Sequence, residues 1–185
     1  MGHRVLFPPS GAFEQEVATR LRADFPQGWI VHEVYVGEEQ MDVLAVLPHG
    51  LFAIECKAYC GQIVGDPNTT WVAGTNDKAT VLEPRQRNPY RQVLRKAFAV
   101  GALLTALMQA NPTFVGDERP WIHACVVVPQ AADVSTRGGI AVNPRIVLPR
   151  GQSRAIVVHP DYLSASISLM GAELEYKMAQ ASCSR

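Results

Sequence analysis

The sequence has few cysteines, no export signal and no excess of charge of either sign. Its 4 cysteines among 185 residues are irregularly spaced and form no Cys-x-x-Cys pair, so we expect reduced thiols rather than a disulfide framework. The N-terminus lacks an apolar signal segment, which makes a cytoplasmic location the expectation. Because 17 acids balance 17 bases, the composition excludes a strongly cationic coat protein for nucleic acid.

Long apolar runs and internal repeats are also missing. The longest apolar run, residues 97–108, is interrupted by Gly101 and Thr105 and is too short to span a bilayer, so we expect no membrane contact. The absence of repeats excludes solenoids. Hydrophobic residues make up 48% of the chain, which is enough for a sizeable core, and the length predicts that residues 1–185 form a single domain.

Hydrophobic periodicity predicts a mixed α/β domain. Apolar residues at helical spacing predict a helix from about Ala12 to Ala23, and Asn88-Pro89 caps and opens a long helix that ends near Ala110. Residues 161–170 predict a closing helix. Runs rich in β-branched and aromatic residues predict strands at 29–36, 40–47, 51–57, 61–64, 70–73, 121–128 and 155–158. This order is typical of one α/β domain.

Two acids and a lysine on neighbouring strands form the chemically informative pattern. The tight link at residues 48–50 predicts an antiparallel hairpin in which Asp42 lies opposite Glu55. Lys57 follows two residues later and shares the Glu55 face of the strand. Adjacent carboxylates repel unless a cation neutralises them, and Mg²⁺ combines one or two carboxylates with waters and phosphate oxygens. With a lysine beside it, this arrangement indicates phosphodiester hydrolysis.

Other interpretations use the same residues. The lysine could simply neutralise its neighbouring acid on a solvent-facing sheet, since both types are common on half-exposed strands. A zinc site would use Cys56, Cys60, His123 and Cys125, but their spacing matches no common zinc pattern. A thiol nucleophile at Cys56 is disfavoured because that side chain should point away from Glu55 into the core.

The order of these residues resembles the nuclease-related domain (NERD) family of the PD-(D/E)XK nuclease superfamily. Asp42 and Glu55-Cys56-Lys57 are similar to the superfamily motif, without a proline before Asp42. The wider family pattern is matched, in order, by residues 14–21, Gln40-Met41-Asp42, residues 49–57, Tyr59, residues 61–63, Trp71 and Asn88-Pro89 with Gln92. The matches span residues 11–92. They imply a restriction-endonuclease-like mixed sheet flanked by helices, which residues 112–185 would complete.

The resemblance implies a role for each matched residue on the hairpin. Asp42 and Glu55 would be ligands of Mg²⁺ or Mn²⁺, with the Cys56 backbone carbonyl as a third ligand. Lys57 would orient a water molecule or stabilise charge. The implied activity is metal-dependent hydrolysis of phosphodiester bonds, with DNA as the expected substrate. The alternative is a catalytically inactive nucleic-acid-binding or regulatory module with the same fold.

The two predicted helices would complete this site. Glu14 would approach from the first helix, directly or through water. It is preferred to Glu16 because it lies three and four residues before Val17-Ala18, near the inward stripe of the helix. Gln92 on the long helix would help to close the site. Relatives that carry a histidine after this glutamine differ from this chain, which has no obvious equivalent.

An acid-free basic run precedes and opens the long helix. It consists of Arg85, Arg87, Arg91, Arg95 and Lys96. One interpretation is a surface that contacts phosphates beside the site, and the other is an ordinary solvated helix face. Arg91 and Arg95 lie one helical turn apart and are the expected nucleic-acid contacts.

Overall fold

The computed structural model describes residues 11–59, 61–65, 70–73, 80–81, 88–111, 121–129, 132–136 and 155–183. The helices are α1 (Ala12–Asp24), α2 (Pro89–Ala110) and α3 (Pro160–Cys183). The strands are β1 (Trp29–Val36), β2 (Glu39–Leu47), β3 (Gly50–Cys56), β4 (Gly61–Gly65), β5 (Val72–Ala73), β6 (Thr80–Val81), β7 (Ile122–Val127), β8 (Ala132–Thr136) and β9 (Ala155–Val158).

A mixed five-stranded sheet forms the centre of the fold, in the order β1-β2-β3-β7-β9. The first three strands are an antiparallel meander, whereas β3, β7 and β9 run parallel. Parallel neighbours need a crossover, and α2 provides it between β3 and β7. A smaller sheet has the order β6-β5-β4-β8. The predicted α/β class, a mixed sheet flanked by helices, is confirmed.

The helices cover opposite faces of the central sheet and divide the core in two. On one face, α1 and α3 pack with Phe52, Ile54 and Cys56 of β3. On the other face, α2 packs with Ala53 and with β7 and β9. The alternation of β3 side chains expected from the sequence is therefore what divides the two cores.

Two short strands and most of the last helix were not predicted. β6 has two residues, too few for a period of two to be visible, and β8 reads Ala-Asp-Val-Ser-Thr with little apolar content. α3 continues past Gly171, where a helical pattern would be expected to weaken. A Cβ at Gly171 would lie 2.7 Å from the His49 carbonyl oxygen, so glycine allows the helix to approach the β2–β3 turn closely.

Helix α2 is longer than the apolar run that it contains. Among the described residues it is the one helix whose length and composition would suffice to cross a membrane, with a mean hydropathy of 1.4 over 18 residues. In the structure its first half packs on the sheet, whereas Phe98, Leu103 and Leu107 are exposed. The expectation of no membrane contact stays a prediction.

Candidate active site

The β2–β3 hairpin brings the two acids of the motif together. Leu47 pairs with Gly50 and Val43 with Ile54, which confirms the predicted register. Continued by one step, this register sets Asp42 opposite Glu55. The ladder ends before that pair, and the Asp42 carboxylate instead accepts a hydrogen bond from the Cys56 backbone amide at 2.7 Å.

The sheet bends at the position of Asp42. Val43 packs on the α1 face, but Met41, two residues earlier, packs on the α2 face. In a flat strand these two side chains would share a face. On the neighbouring strand, the register places Glu33 opposite Asp42, and Glu33 has a φ of +49°. Left-handed backbone is uncommon for glutamate, and such outliers cluster at functional sites.

Four charged side chains meet beside this bend. Glu55 is 2% exposed, and its two carboxylate oxygens each face a lysine. Lys57 Nζ lies 2.9 Å from Glu55 Oε1, and Lys96 Nζ donates to Glu55 Oε2. Lys96 Nζ also lies 3.9 Å from Asp42 Oδ1. Two acids and two lysines therefore form one cluster with no net charge, located on α2 and at the point where the β2–β3 pairing ends.

Lys96 is the member of this cluster that the sequence interpretation missed. It belonged to the basic run, in which Arg91 and Arg95 were the expected functional residues. The buried residues of α2 recur at helical spacing and are Pro89, Tyr90, Gln92, Val93, Lys96, Ala97 and Val100. A lysine inside such a stripe is rare without a partner. That periodicity was the signal in the sequence that pointed to an acid facing Lys96.

The environment of Asp42 favours its neutral form more than water does. Burial raises its pKa from the ordinary 3.8 to about 6, and the negative charge of Glu55 adds to the rise. Lys96, the Cys56 amide and Lys57 oppose the shift without cancelling it. Repulsion within the carboxylate pair is therefore only partly relieved by the lysines, so the pair retains a tendency to bind cations.

Glu14 lies on α1, and its charge reaches the sheet from the α1 face. It is half-buried and accepts a hydrogen bond from the Gly11 amide at 3.3 Å, whereas the competing Glu16 is exposed. After burial and Asp42, the charge of Glu14 is the next cause that raises the pKa of Cys56 well above its ordinary value. Cys56 thus lies between Glu14 and the acid pair, and its raised pKa keeps the thiol protonated and poorly nucleophilic.

A cluster of side chains preformed for a metal is absent from the part of the chain that the structure describes. There, no group of three or more His, Cys, Asp or Glu side chains is arranged to hold an ion. Glu14 is thus not grouped with Asp42 and Glu55, and its approach to the site, directly or through water, stays a prediction. Of the zinc alternative, Cys56 and Cys125 are buried free thiols, and the side chain of Cys60 lies outside the described residues.

The backbone of β3 offers a further oxygen. The Lys57 amide donates to Val127 of β7 at 2.9 Å. Because backbone groups alternate along a strand, the Cys56 amide and carbonyl both point the other way, toward β2. The Cys56 amide reaches Asp42 there, so the Cys56 carbonyl lies on the same side as that carboxylate.

The remaining expected residues divide between the two sides of α2. Gln92 is buried one turn before Lys96 and so shares its sheet-facing side. Arg91 and Arg95 are exposed, and Arg95 Nε lies 3.3 Å from Glu39 Oε1 at the start of β2. Exposed ion pairs of this kind contribute about 1 kcal/mol or less. Arg85 and Arg87 lie outside the described residues.

Comparison with known families gives a match over most of the chain. The sequence model described as the nuclease-related domain (NERD) matches residues 10–129. The chain belongs to this family. The matched range contains the whole four-charge cluster, and NERD membership indicates a nuclease-related function that involves nucleic acid. Searches of curated proteins and of solved structures gave no match.

Proposed function

We propose that this NERD protein is a metal-dependent phosphodiesterase that cleaves nucleic acid, with DNA as the expected substrate. The observation that carries the proposal is the cluster in which Asp42 and Glu55 meet where the pairing of β2 with β3 ends, with Lys57 beside them. The family supplies the nuclease-related context. Fold alone would not imply an activity, so the argument depends on these side chains.

The donor set fits a hard divalent cation. Asp42, Glu55 and the Cys56 carbonyl offer oxygen atoms only, which is the preference of Mg²⁺ and Mn²⁺. Asp42 and Glu55 also bind a cation already, since the Lys96 ammonium lies against both. We therefore assign Asp42 and Glu55 as the residues that would hold Mg²⁺ or Mn²⁺, and the Cys56 carbonyl as a third ligand. Such an ion lowers the pKa of a bound water and polarises a phosphoryl oxygen.

The protein residues would bind and orient the phosphodiester. Lys57, which lies beside the acid pair, would stabilise the negative charge that develops on a phosphate bound next to Asp42 and Glu55. Its ammonium is positioned by Glu55 at 2.9 Å. Gln92, buried on the same side of α2 as Lys96, would help to close the site. Glu14 would influence it through its charge or through water, because it approaches Cys56 from the other face.

A cleavage assay tests this proposal. Plasmid and single-stranded DNA are incubated with the wild type in Mg²⁺, Mn²⁺ or EDTA, beside Glu55→Gln. We expect cleavage with either ion, none in EDTA, and none by Glu55→Gln, because one carboxylate offsets too little of the cost of dehydrating the ion. Arg20→Gln is the control, since Arg20 pairs with Asp161 on the surface between α1 and α3. Cleavage in EDTA equal to that in Mg²⁺ would refute metal dependence.

One observation favours the alternative of an inactive binding module. The Lys96 ammonium neutralises the acid pair without a metal. A chain in which this ion pairing is permanent would keep the fold and bind nucleic acid without cutting it. Binding of DNA without Mn²⁺ binding or cleavage, by the wild type and by variants of Lys96, would establish that alternative.

A further inference from the structure

Lys96 lies against both of the carboxylates that would hold the proposed metal. The residue is 7% exposed, and its Nζ contacts Glu55 Oε2 and approaches Asp42 Oδ1 to 3.9 Å. The two carboxylates that would hold the ion are thus already bridged by an ammonium group. A buried lysine keeps its charge only beside acids, so this ion pairing is what makes its position tolerable.

Charge balance makes simultaneous occupancy unfavourable. The two acids and the two lysines of the cluster sum to zero, so a divalent ion would add two positive charges to a largely buried site. Lys57 is the more exposed of the two lysines, and its ammonium lies against Oε1 of Glu55. Lys96 lies against both acids. Repulsion by the arriving ion therefore acts most directly on Lys96.

We propose that Lys96 is an internal counter-cation of the acid pair, which competes with Mg²⁺ or Mn²⁺ for Asp42 and Glu55 and must leave them when the metal binds. In the metal-free protein it holds the two carboxylates together. In the metal-bound protein its ammonium no longer contacts both carboxylates. This inference rests on the proposed function, because it takes Asp42 and Glu55 as the metal ligands.

Calorimetric titration with Mn²⁺ at fixed pH tests the competition without any substrate. Lys96→Met keeps the length of the side chain and removes its charge, and Lys96→Arg keeps the charge. A charge within about 4–6 Å changes the affinity of a site for a proton by one to three powers of ten. We therefore expect Mn²⁺ to bind Lys96→Met at least about tenfold more tightly than the wild type, and Lys96→Arg to remain close to the wild type. Arg20→Met, which removes an equal charge from the surface, should not tighten binding.

If Lys96→Met is unstable, thermal unfolding with and without Mn²⁺ tests the same competition. In EDTA this variant leaves the acid pair without its main counter-charge, so it should melt below the wild type, and Mn²⁺ should raise its melting temperature by more than it raises that of the wild type. A variant that is unfolded in EDTA and folds on addition of Mn²⁺ supports the proposal in the same way. A Lys96→Met protein that stays unfolded after addition of Mn²⁺ contradicts the proposal.

The outcomes separate this inference from the proposed function. If Asp42→Asn abolishes Mn²⁺ binding but Lys96→Met binds no more tightly than the wild type, competition is refuted and the metal site stands. If Mn²⁺ binds Lys96→Met but not the wild type, competition is supported in its strongest form. If neither protein binds Mn²⁺, both the inference and the metal-dependent function are refuted.

Discussion

The two faces of the central sheet bury polar groups in different ways. On the α1 face, His32 is fully buried and its Nε2 lies 2.9 Å from an Arg22 amine. Burial and the charge of Arg22 lower the pKa of His32, so the imidazole is neutral and accepts this hydrogen bond. Within the described residues, neither His32 Nδ1 nor Arg22 Nε has a hydrogen-bond partner.

The α2 face instead concentrates four charges around the point where the β2–β3 pairing ends. Asp42 and Lys57 remain partly exposed there, with 19% and 17% of their side chains accessible. One face thus places a single arginine beside a neutral histidine, whereas the other buries Glu55 and Lys96 and gathers all four charges where solvent reaches Asp42 and Lys57. A neutral ring that accepts a hydrogen bond from one arginine is typical of a structural contact, and balanced charge at a partly solvent-accessible position is typical of a ligand site.

The largest expected effect is a loss of cleavage rate in the variant Lys57→Ala. Removal of a group that stabilises transition-state charge costs about 10²- to 10³-fold in rate. We expect a loss of this size in single-turnover cleavage, while the affinity for nucleic acid stays close to that of the wild type, because the lysine acts mainly on the transition state.

Arg22→Met on the opposite face is the matched control for Lys57→Ala. It also removes a positive charge from a polar contact, but it should lower stability and not the cleavage rate of the folded protein. Equal losses of rate in the two variants would show that the two faces do not differ in function.

The next largest effect is a loss of stability in the variant Ile54→Ala. Ile54 is fully buried on the α1 face, one residue before Glu55. Truncation of such a side chain costs about 2–5 kcal/mol in the free energy of unfolding. Because its neighbour Glu55 points to the other face, the folded variant should bind Mn²⁺ as the wild type does. Denaturant melts and calorimetry measure the two quantities, and a large loss of metal affinity would contradict the separation of the faces.

Local patterns predicted much of this fold. The bounds of β1 and β9 agree residue for residue with the structure, and Asn88 caps α2 as expected, because caps, prolines and β-branched runs act over short distances. The Asp42–Glu55 register also followed from a tight turn. β8 could not be predicted because its pairing with β4 joins segments about 70 residues apart and has no local signal.

The composition of the cluster was harder to predict than its hairpin. The position of Lys96 opposite Glu55 depends on how α2 crosses the sheet, which is a tertiary property. The sequence interpretation assigns this lysine to a basic run that is either a phosphate-contacting surface or a solvated helix face, although its spacing from Gln92 and Val93 already sets it in the buried stripe. Likewise, the bend at Glu33 that turns Asp42 toward the Cys56 amide has no glycine or proline to mark it.

A smaller effect is expected on the pH dependence of stability in EDTA. The folded-state pKa of Asp42 is about 6 and exceeds its ordinary 3.8, so the folded protein holds this proton more tightly than the unfolded chain. This contribution favours folding below about pH 4 and is lost as the pH rises through 6, by at most about 3 kcal/mol. Asp42→Asn should flatten that decline, and denaturant melts from pH 4 to 7 measure it.

Lys96→Met sharpens the same pH measurement. The charge of Lys96 lowers the pKa of Asp42, so its removal should raise that pKa further and extend the decline in stability to higher pH. The facing charges of Glu55 and Lys57 stay in place in both variants. A decline of equal slope in the wild type and in Asp42→Asn would show that Asp42 is not the group responsible.

The smallest expected effect lies on the outer side of α2, where Arg91 and Arg95 are exposed. For each phosphate that the double variant Arg91→Ala with Arg95→Ala no longer neutralises, the salt slope of duplex DNA binding should fall by up to about 0.9. Because Glu39 lies 3.3 Å from Arg95, Glu39→Gln should release that arginine and strengthen binding modestly. Affinities measured from low to moderate salt give both slopes. If the double variant keeps the wild-type slope, the outer side of α2 is only a solvated helix face, and the phosphates are bound by the charges of the inner side alone.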